Sequence, residues 1–409
     1  MVVFTFPGQG SQRAGMGLPW RDHPSWELVA DAAQVSGRDI GYLLCDAPAE
    51  ELTSTRNSQL ATFVLSLVVL DAVERTGLAP AVCAGHSLGE YTALVAAGSL
   101  TFEDGVRVVA ERGEAMHEIA ERSPGRMVAL IGLSDDDVEV ACQRAESDVW
   151  VANYNAPGQV VIAGTEEGIE AALAVANTLG LRRAMPLPVA GAFHTPLVAP
   201  ARQRLRKALA AASLRTPEVP VYSNVDARPH SDPEEWPGLL STQLCSPVRW
   251  HQTLTALAET AGSSLRLVEV GPGGVLTGLA RRTLPGTIGY SVAVPDDLDR
   301  LFDALRGDLP ARSLVGAREG EHLYVSERLV VSPAGGVFEP DGRLADIPMN
   351  AAPQEVGTYP VHVGELIGTV GTAEVRSPFA GSLVGLLAHS GERVTVGQPI
   401  AWLRTEVEQ

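Results

Sequence analysis

Gly85-His86-Ser87-Leu88-Gly89 is the stretch whose residue types and spacing point most directly to chemistry. The pattern is G-x-S-x-G, set between a run that reads as a buried strand, Ala81 to Gly85, and a helix from Leu88 onward. Small residues beside the serine permit the tight turn that lifts its Oγ above a sheet. The helix that follows aims unpaired N–H groups and a positive dipole end at a nascent oxyanion. A serine needs a base, and the chain offers nine histidines. His194 lies in Val189-Ala190-Gly191-Ala192-Phe193-His194-Thr195-Pro196, at a loop-to-helix junction, whereas His23, His117, His230, His251 and the C-terminal histidines have no such setting. Ser87 is therefore read as a nucleophile and His194 as its general base.

The elements that must position this pair read as an α/β domain. Residues 2–6 form a short strand that breaks at Pro7-Gly8, and Trp26 to Asp71 is helical in pattern, with Leu60, Val64, Leu67 and Val68 on one face. Strand-then-helix alternation implies a mostly parallel sheet. The texture changes at Ser123-Pro124-Gly125. Strands at Met127–Leu133, Val149–Asn155, Gln159–Ala163 and Arg183–Pro188, with helices at Asp135–Glu146 and Glu166–Leu179, give the β-α-β-β-α-β order of a ferredoxin-like unit. It is placed at 125–188, as an insert in a larger core of 1–124 and 189–306. That core resumes with a helix from Thr195 to about Ala212 and strands at Val219–Ser223 and Leu265–Glu269. A linker is expected over 307–318, with Pro310 to Arg318 its clearest part. From 319 to 409 short β-prone runs alternate with Gly and Pro, which reads as a small all-β module.

Composition excludes several function classes. Of 409 residues, 31 are basic and 49 acidic, a formal net charge of −18, which argues against a nucleic-acid binder. The four cysteines, Cys45, Cys83, Cys142 and Cys245, form no C-x-x-C pair, so neither a disulfide framework nor a metal site is expected and a reducing cytoplasm is the natural compartment. The N-terminus has no basic region of a leader, and the apolar run Leu60–Leu70 is about half of what spans a bilayer, so no membrane association is expected. Gly271-Pro272-Gly273-Gly274 lacks the G-x-G-x-x-G register and reads as a tight turn under the site rather than a phosphate cradle.

The ordered motifs then carry a resemblance. Phe6-Pro7-Gly8-Gln9-Gly10-Ser11-Gln12, Gly85-His86-Ser87-Leu88-Gly89-Glu90-Tyr91, Arg112-Gly113, Asn153 to Gly164, Gly191-Ala192-Phe193-His194, Tyr222-Ser223-Asn224-Val225, Gln243 to Val248 and Gly271 to Leu276 stand in sequence. Over about 1–305 the chain resembles malonyl-CoA:acyl carrier protein transacylases and the acyltransferase domains of polyketide synthases. The resemblance implies an α/β-hydrolase-like core with a ferredoxin-like insert. It implies transfer of malonyl from coenzyme A through a malonyl-Ser87 ester to the phosphopantetheine thiol of an acyl carrier protein, with no bound cofactor. It also implies that backbone N–H groups of Gln9 and Leu88 form the oxyanion hole, that the backbone carbonyl of Gln243 orients His194, and that Arg112 holds the malonyl carboxylate. Phe193 beside the histidine implies a pocket too tight for an α-methyl branch. Arg202 and Arg206, at i, i+4 in a run that includes Arg204 and Lys207, form a basic face that suits an acidic carrier protein.

The C-terminal module resembles biotinyl and lipoyl domains through Val375-Arg376-Ser377-Pro378-Phe379-Ala380-Gly381 and Ser390-Gly391-Glu392-Arg393-Val394. Those domains carry their group on a hairpin lysine. The matching stretch here, Gly368 to Glu374, has none, and Lys207 is the only lysine in the chain. An unmodified barrel-sandwich without biotin or lipoate is the expectation. The reading overall is a malonyl transacylase serving fatty acid or polyketide synthesis. An acyl-thioester hydrolase that edits carriers and a non-catalytic scaffold are the alternatives, while the oligomeric state is not legible.

Overall fold

The computed structural model describes residues 1–305, 327–344 and 359–404. The linker expected over 307–318 lies outside them. Two compact units are formed, Met1–Val73 with Pro80–Asp308 and Leu309–Gln409 with Glu74–Ala79.

In the first unit the strands are β1 (Val2–Phe6), β2 (Val82–Gly85), β3 (Arg126–Ile131), β4 (Val149–Ala156), β5 (Gln159–Gly164), β6 (Arg183–Pro186), β7 (Val221–Tyr222), β8 (Pro229–His230), β9 (Arg266–Val270) and β10 (Ile288–Val292). A six-stranded sheet runs β10-β9-β1-β2-β7-β8, with β10 to β7 mutually parallel and β8 antiparallel at the edge. Parallel strands need both faces covered, which is why β1 and β2 are buried along their whole length. The register sets Phe6 beside Gly85, so the loops leaving β1 and β2 emerge together at one end of the sheet. In open α/β sheets that carboxyl end is where sites form.

A second sheet, β4-β5-β3-β6, is wholly antiparallel and carries the helices Asp135–Arg144 and Glu166–Thr178. Ser134 and Thr165 cap them, each Oγ accepting an N–H from the residue three on. Val128, Leu130, Val138, Val151, Ile162 and Ile169 fill the space between sheet and helices.

Several sequence expectations are refined. The helical stretch from Trp26 to Asp71 is divided into Glu27–Ser36, Ile40–Cys45, Ala49–Thr53 and Thr55–Glu74, broken at Gly37 in the left-handed region and at Pro48. Thr55–Glu74 is long and apolar enough to cross a bilayer, yet its apolar stretch is buried in the fold. The helix expected from Thr195 begins only at Ala201, after a single 3-10 turn at Pro196–Val198, because Pro196 and Pro200 interrupt it. The edge strands β8 and β10 are additions to the expected set. At Gly271-Pro272-Gly273-Gly274 both Gly271 (φ +133°) and Gly273 (φ +98°) are left-handed. The helix they introduce, Val275–Thr283, has its N-terminal amides occupied by the Glu269 carboxylate, so a phosphate has no open cradle there.

The second unit has β11 (Glu327–Val331), β12 (Gly336–Pro340), β13 (Tyr359–Val361), β14 (Leu366–Val370), β15 (Ala373–Arg376), β16 (Gly381–Leu386), β17 (Arg393–Val394) and β18 (Pro399–Arg404). They form two antiparallel four-stranded sheets, β11-β18-β16-β13 and β15-β14-β12-β17, whose side chains share one core around Phe338, Ile367, Phe379 and Leu403. Gly368 to Glu374 is a hairpin that turns at Gly371 (φ +61°) and Thr372.

Candidate active site

Ser87 sits in the turn between β2 and the helix Gly89–Ala96, with φ +53°, a conformation that strains any residue with a side chain. The flanking glycines are required by close approach. A Cβ on Gly85 would lie 1.9 Å from the Gly89 carbonyl group, and one on Gly89 would lie 2.0 Å from the Phe6 oxygen. Asn224, in the loop after β7, holds the turn at both ends. Its Oδ1 accepts the Ser87 N–H at 2.7 Å and its Nδ2 donates to the Gly85 oxygen at 2.7 Å.

His194, also left-handed at φ +61°, directs Nε2 at the Ser87 Oγ from 2.7 Å. Its Nδ1 is 2.9 Å from the Gln243 backbone oxygen. A carbonyl can only accept, so Nδ1 carries the proton and Nε2 is free to accept the serine proton. Burial, followed by the nearby Arg112 cation, lowers the imidazole to about 3, so the ring is neutral.

Arg112 lies on the helix Phe102–Arg122, capped by Thr101, whose hydroxyl accepts the Asp104 N–H. It falls on the buried stripe Gly105, Val108, Val109, Arg112, Met116, and only 1% of it is exposed. Nη1 donates to Gln59 Oε1 at 2.6 Å, and Nη2 donates to Ser87 Oγ and to Gln243 Oε1, both at 3.1 Å. The guanidinium carbon stands 5.2 Å from the centre of the Tyr91 ring. Buried Nε has no acceptor, and among the described residues no bonded carboxylate neutralises the group. Its hydrogen-bond partners are neutral, and the opposite charge it attracts is the buried Glu90 carboxylate, reached through Gln243, so both Nη atoms can still turn a direct ion pair toward a ligand.

Ser87, His194, Arg112, Phe193 and Gln9 line one cavity of about 260 Å³, which is walled on its far side by Met127, Ala129 and Val161 of the antiparallel sheet. Leu88, the N-cap of the helix Gly89–Ala96, has an N–H that the helix leaves unpaired. The Pro7–Gly10 loop passes close over the same turn: a Cβ on Gly8 would be 2.5 Å from the His86 oxygen. The Phe193 ring occupies the space beside Gly191, where a Cβ would lie 2.5 Å from it. Arg202 and Arg206 lie apart from this cavity, both donating through Nε to Ser241 Oγ, at 3.4 and 2.8 Å. Arg204 is turned away into ion pairs with Glu111 and Glu118. Among the described residues no group of three or more His, Cys, Asp or Glu side chains could hold a metal.

Sequence reasoning missed Gln59, Asn224, Glu90 and the side chain of Gln243. All four are buried, and each was hidden inside an apolar or motif stretch where nothing in the pattern names its partner. His86, bonded through Nε2 to Asn155 Oδ1 at 2.8 Å, joins the two sheets across the cavity.

A hydroxyl paired with a neutral imidazole, beside helix N–H groups and a buried guanidinium with no directly bonded carboxylate, can carry an acyl group that ends in a carboxylate as a serine ester. The chain belongs to the family of the acyl transferase domain, whose model matches residues 3–296. Among curated relatives, the malonyl CoA-acyl carrier protein transacylase of Escherichia coli (strain K12) is 42% identical over 285 residues, covering 68% of this chain and 92% of that one. The transacylase of the same name from Bacillus subtilis (strain 168) is 37% identical over 310 residues, 75% of this chain and 97% of its own. A solved malonyl-transacylase in complex with its type II PKS acyl-carrier protein superposes with a TM-score of 0.71 at 35% identity, covering 74% of this chain and 99% of that one.

Proposed function

We propose that the chain is a malonyl-CoA:acyl carrier protein transacylase that works through a malonyl-serine ester. The observation that carries the reading is the convergence of Ser87, His194 and Arg112 in one buried cavity. Ser87 Oγ attacks the thioester carbonyl while His194 Nε2 takes its proton, and the departing coenzyme A thiolate receives that proton back. The phosphopantetheine thiol of the carrier then gives its proton to His194 and attacks the serine ester, which restores the serine hydroxyl. Backbone N–H groups of Gln9 and Leu88 receive the oxyanion in both halves, at roughly 3–4 kcal/mol per donor in comparable sites. Among the described residues no acidic side chain completes a triad, and the Gln243 carbonyl accepts the Nδ1 proton instead.

Arg112 receives the free carboxylate of malonate as a two-pronged ion pair. In malonyl-Ser87 that carboxylate is one methylene from the ester carbonyl, and Nη2 already lies 3.1 Å from Oγ. A bound carboxylate also cancels part of the Arg112 repulsion on His194, so the correct substrate strengthens its own base. Phe193 limits the space for an α-branch, a discrimination on the order of 1–3 kcal/mol per methyl. The clamp weighs against an editing hydrolase, which has no need of it, and the assembled pair weighs against a scaffold.

The division of the chain follows the same reading: an α/β-hydrolase-like core of 1–124 and 189–306, a ferredoxin-like insert of 125–188, a linker of 307–318 and a biotinyl/lipoyl-like module of 319–409. The strand order β4-β5-β3-β6 supports the insert, and two antiparallel sheets on one core support the module. With Lys207 the only lysine, that module has no attachment point for biotin or lipoate. Arg202 and Arg206 supply the docking face for an acidic carrier, and the enzyme works in the cytoplasm.

Incubation with radiolabelled malonyl-CoA tests the proposal. The protein takes up label stoichiometrically and passes it to a carrier protein, while Ser87→Ala takes up none. Label on Ser87→Ala, or release of free malonate in place of transfer, overturns it.

A further inference from the structure

Glu90 is fully buried directly after the nucleophile turn, and the transfer steps leave it without a task. One of its carboxylate oxygens accepts the backbone N–H of Asn224 at 2.7 Å, and the other accepts Gln243 Nε2 at 2.5 Å. The same Nε2 donates to the Ser87 carbonyl oxygen at 2.7 Å. With its amide nitrogen committed twice, Gln243 must present Oε1 to Arg112, and it does so at 3.1 Å. We infer that Glu90 is the positioning residue for dicarboxylate selectivity: it sets the polarity of the Gln243 side-chain amide, and through it the place of the Arg112 clamp. This inference rests on the transacylase reading above.

The argument is one of donors and acceptors. Both Glu90 oxygens face N–H groups, so the site requires two acceptors there. The Glu90→Gln substitution leaves only one. The Asn224 N–H is backbone and cannot turn, so the oxygen of the introduced amide would stay on it and the NH₂ would face Gln243. Gln243 must then reverse, which places an NH₂ against the Arg112 guanidinium and an oxygen against the Ser87 carbonyl. Both contacts are repulsive, and Arg112 loses an acceptor that holds it beside Ser87 Oγ. The Gln243 backbone carbonyl still orients His194, so the chemistry of ester formation persists while the choice of acyl group is lost.

The test compares loading of Ser87 from malonyl-CoA and acetyl-CoA in the full chain. In Glu90→Gln the ratio of malonyl to acetyl kcat/KM falls on the order of tenfold to a hundredfold, mostly through KM for malonyl-CoA, as expected for loss of a hydrogen bond to a charged group. Gln243→Met removes the side-chain amide and keeps the carbonyl on His194. It lowers the ratio by a similar factor, and the double variant falls no further than either single one. Equal losses toward both substrates in Glu90→Gln, or additive losses in the double variant, overturn the inference. If Glu90→Gln yields no folded protein, an unchanged ratio in Gln243→Met overturns it alone. Wild-type protein that fails to load malonyl sinks the transacylase reading instead, so the two failures are told apart.

Discussion

Replacing Arg112 by alanine removes the only positive charge that contacts Ser87 Oγ among the described residues, and the structure allows the cost to be sized. The guanidinium is held by Gln59, Gln243 and Ser87 in a position where 1% of the residue is exposed, so under the proposed role a malonyl carboxylate is desolvated as it binds there. Removing one partner of such a buried pair costs about 3–5 kcal/mol, because the remaining charge has neither partner nor water. That corresponds to roughly two to three and a half orders of magnitude in kcat/KM for malonyl-CoA. Acetyl-CoA has no carboxylate to strand, so its loading is unchanged or improved as the neutral cavity opens. The assay is single-turnover acylation of Ser87 with each thioester, read by intact-protein mass spectrometry, with thermal melts as a control for folding. Arg112→Lys keeps the charge but offers no planar fork, and it recovers only part of the loss. Equal losses for malonyl and acetyl would refute the reasoning, since a structural role predicts that result and a clamp does not.

The pH profile separates two buried groups. Burial and Arg112 hold His194 near about 3, so it stays a neutral base as pH falls through the ordinary histidine range. Burial lifts Glu90 to about 7, against the pull of the Asn224 and Gln243 hydrogen bonds and of Arg112, while Asp226 adds to the rise. A group with a raised carboxyl pKa loses its anion as pH falls, so kcat/KM for malonyl loading declines below about pH 7 and this limb disappears in Glu90→Gln. A limb near the ordinary histidine value of about 6.5 that survives the substitution would return the titration to His194. Charge reversal of Arg202 and Arg206 together raises KM for the carrier protein several-fold and leaves malonyl-CoA loading of Ser87 intact. Carrier KM that does not move removes these residues from the docking face.

Much of the site was legible because short-range rules bind it. Gly85 and Gly89 announce the elbow, since only a hydrogen fits where a Cβ would meet backbone at about 2 Å. The placement of Arg112 was also latent in the pattern: it interrupts an otherwise apolar stripe at i, i+3, i+4, i+7 spacing, which is how a buried arginine announces itself. The β-α-β-β-α-β order could be read from alternating periods, although β8 and β10 were missed. These are edge strands, where two-residue length or half exposure erases the apolar signal. In the C-terminal unit Gly336 and Gly368 fall within the short strands β12 and β14 and weaken the apolar signal of those runs.

The sequence alone determined the reactive groups, the tight turn that exposes the serine, and the lack of any lysine on which the C-terminal module could carry a prosthetic group. Only the tertiary structure decided which polar side chains serve those groups. Gln59, Glu90, Asn224 and Gln243 come from four separate elements and meet because β1, β2 and β7 lie parallel, with their carboxyl ends aligned. A hydrogen bond is a requirement on position and direction in space. For partners as far apart in the chain as Glu90 is from Asn224 and Gln243, no local periodicity encodes it.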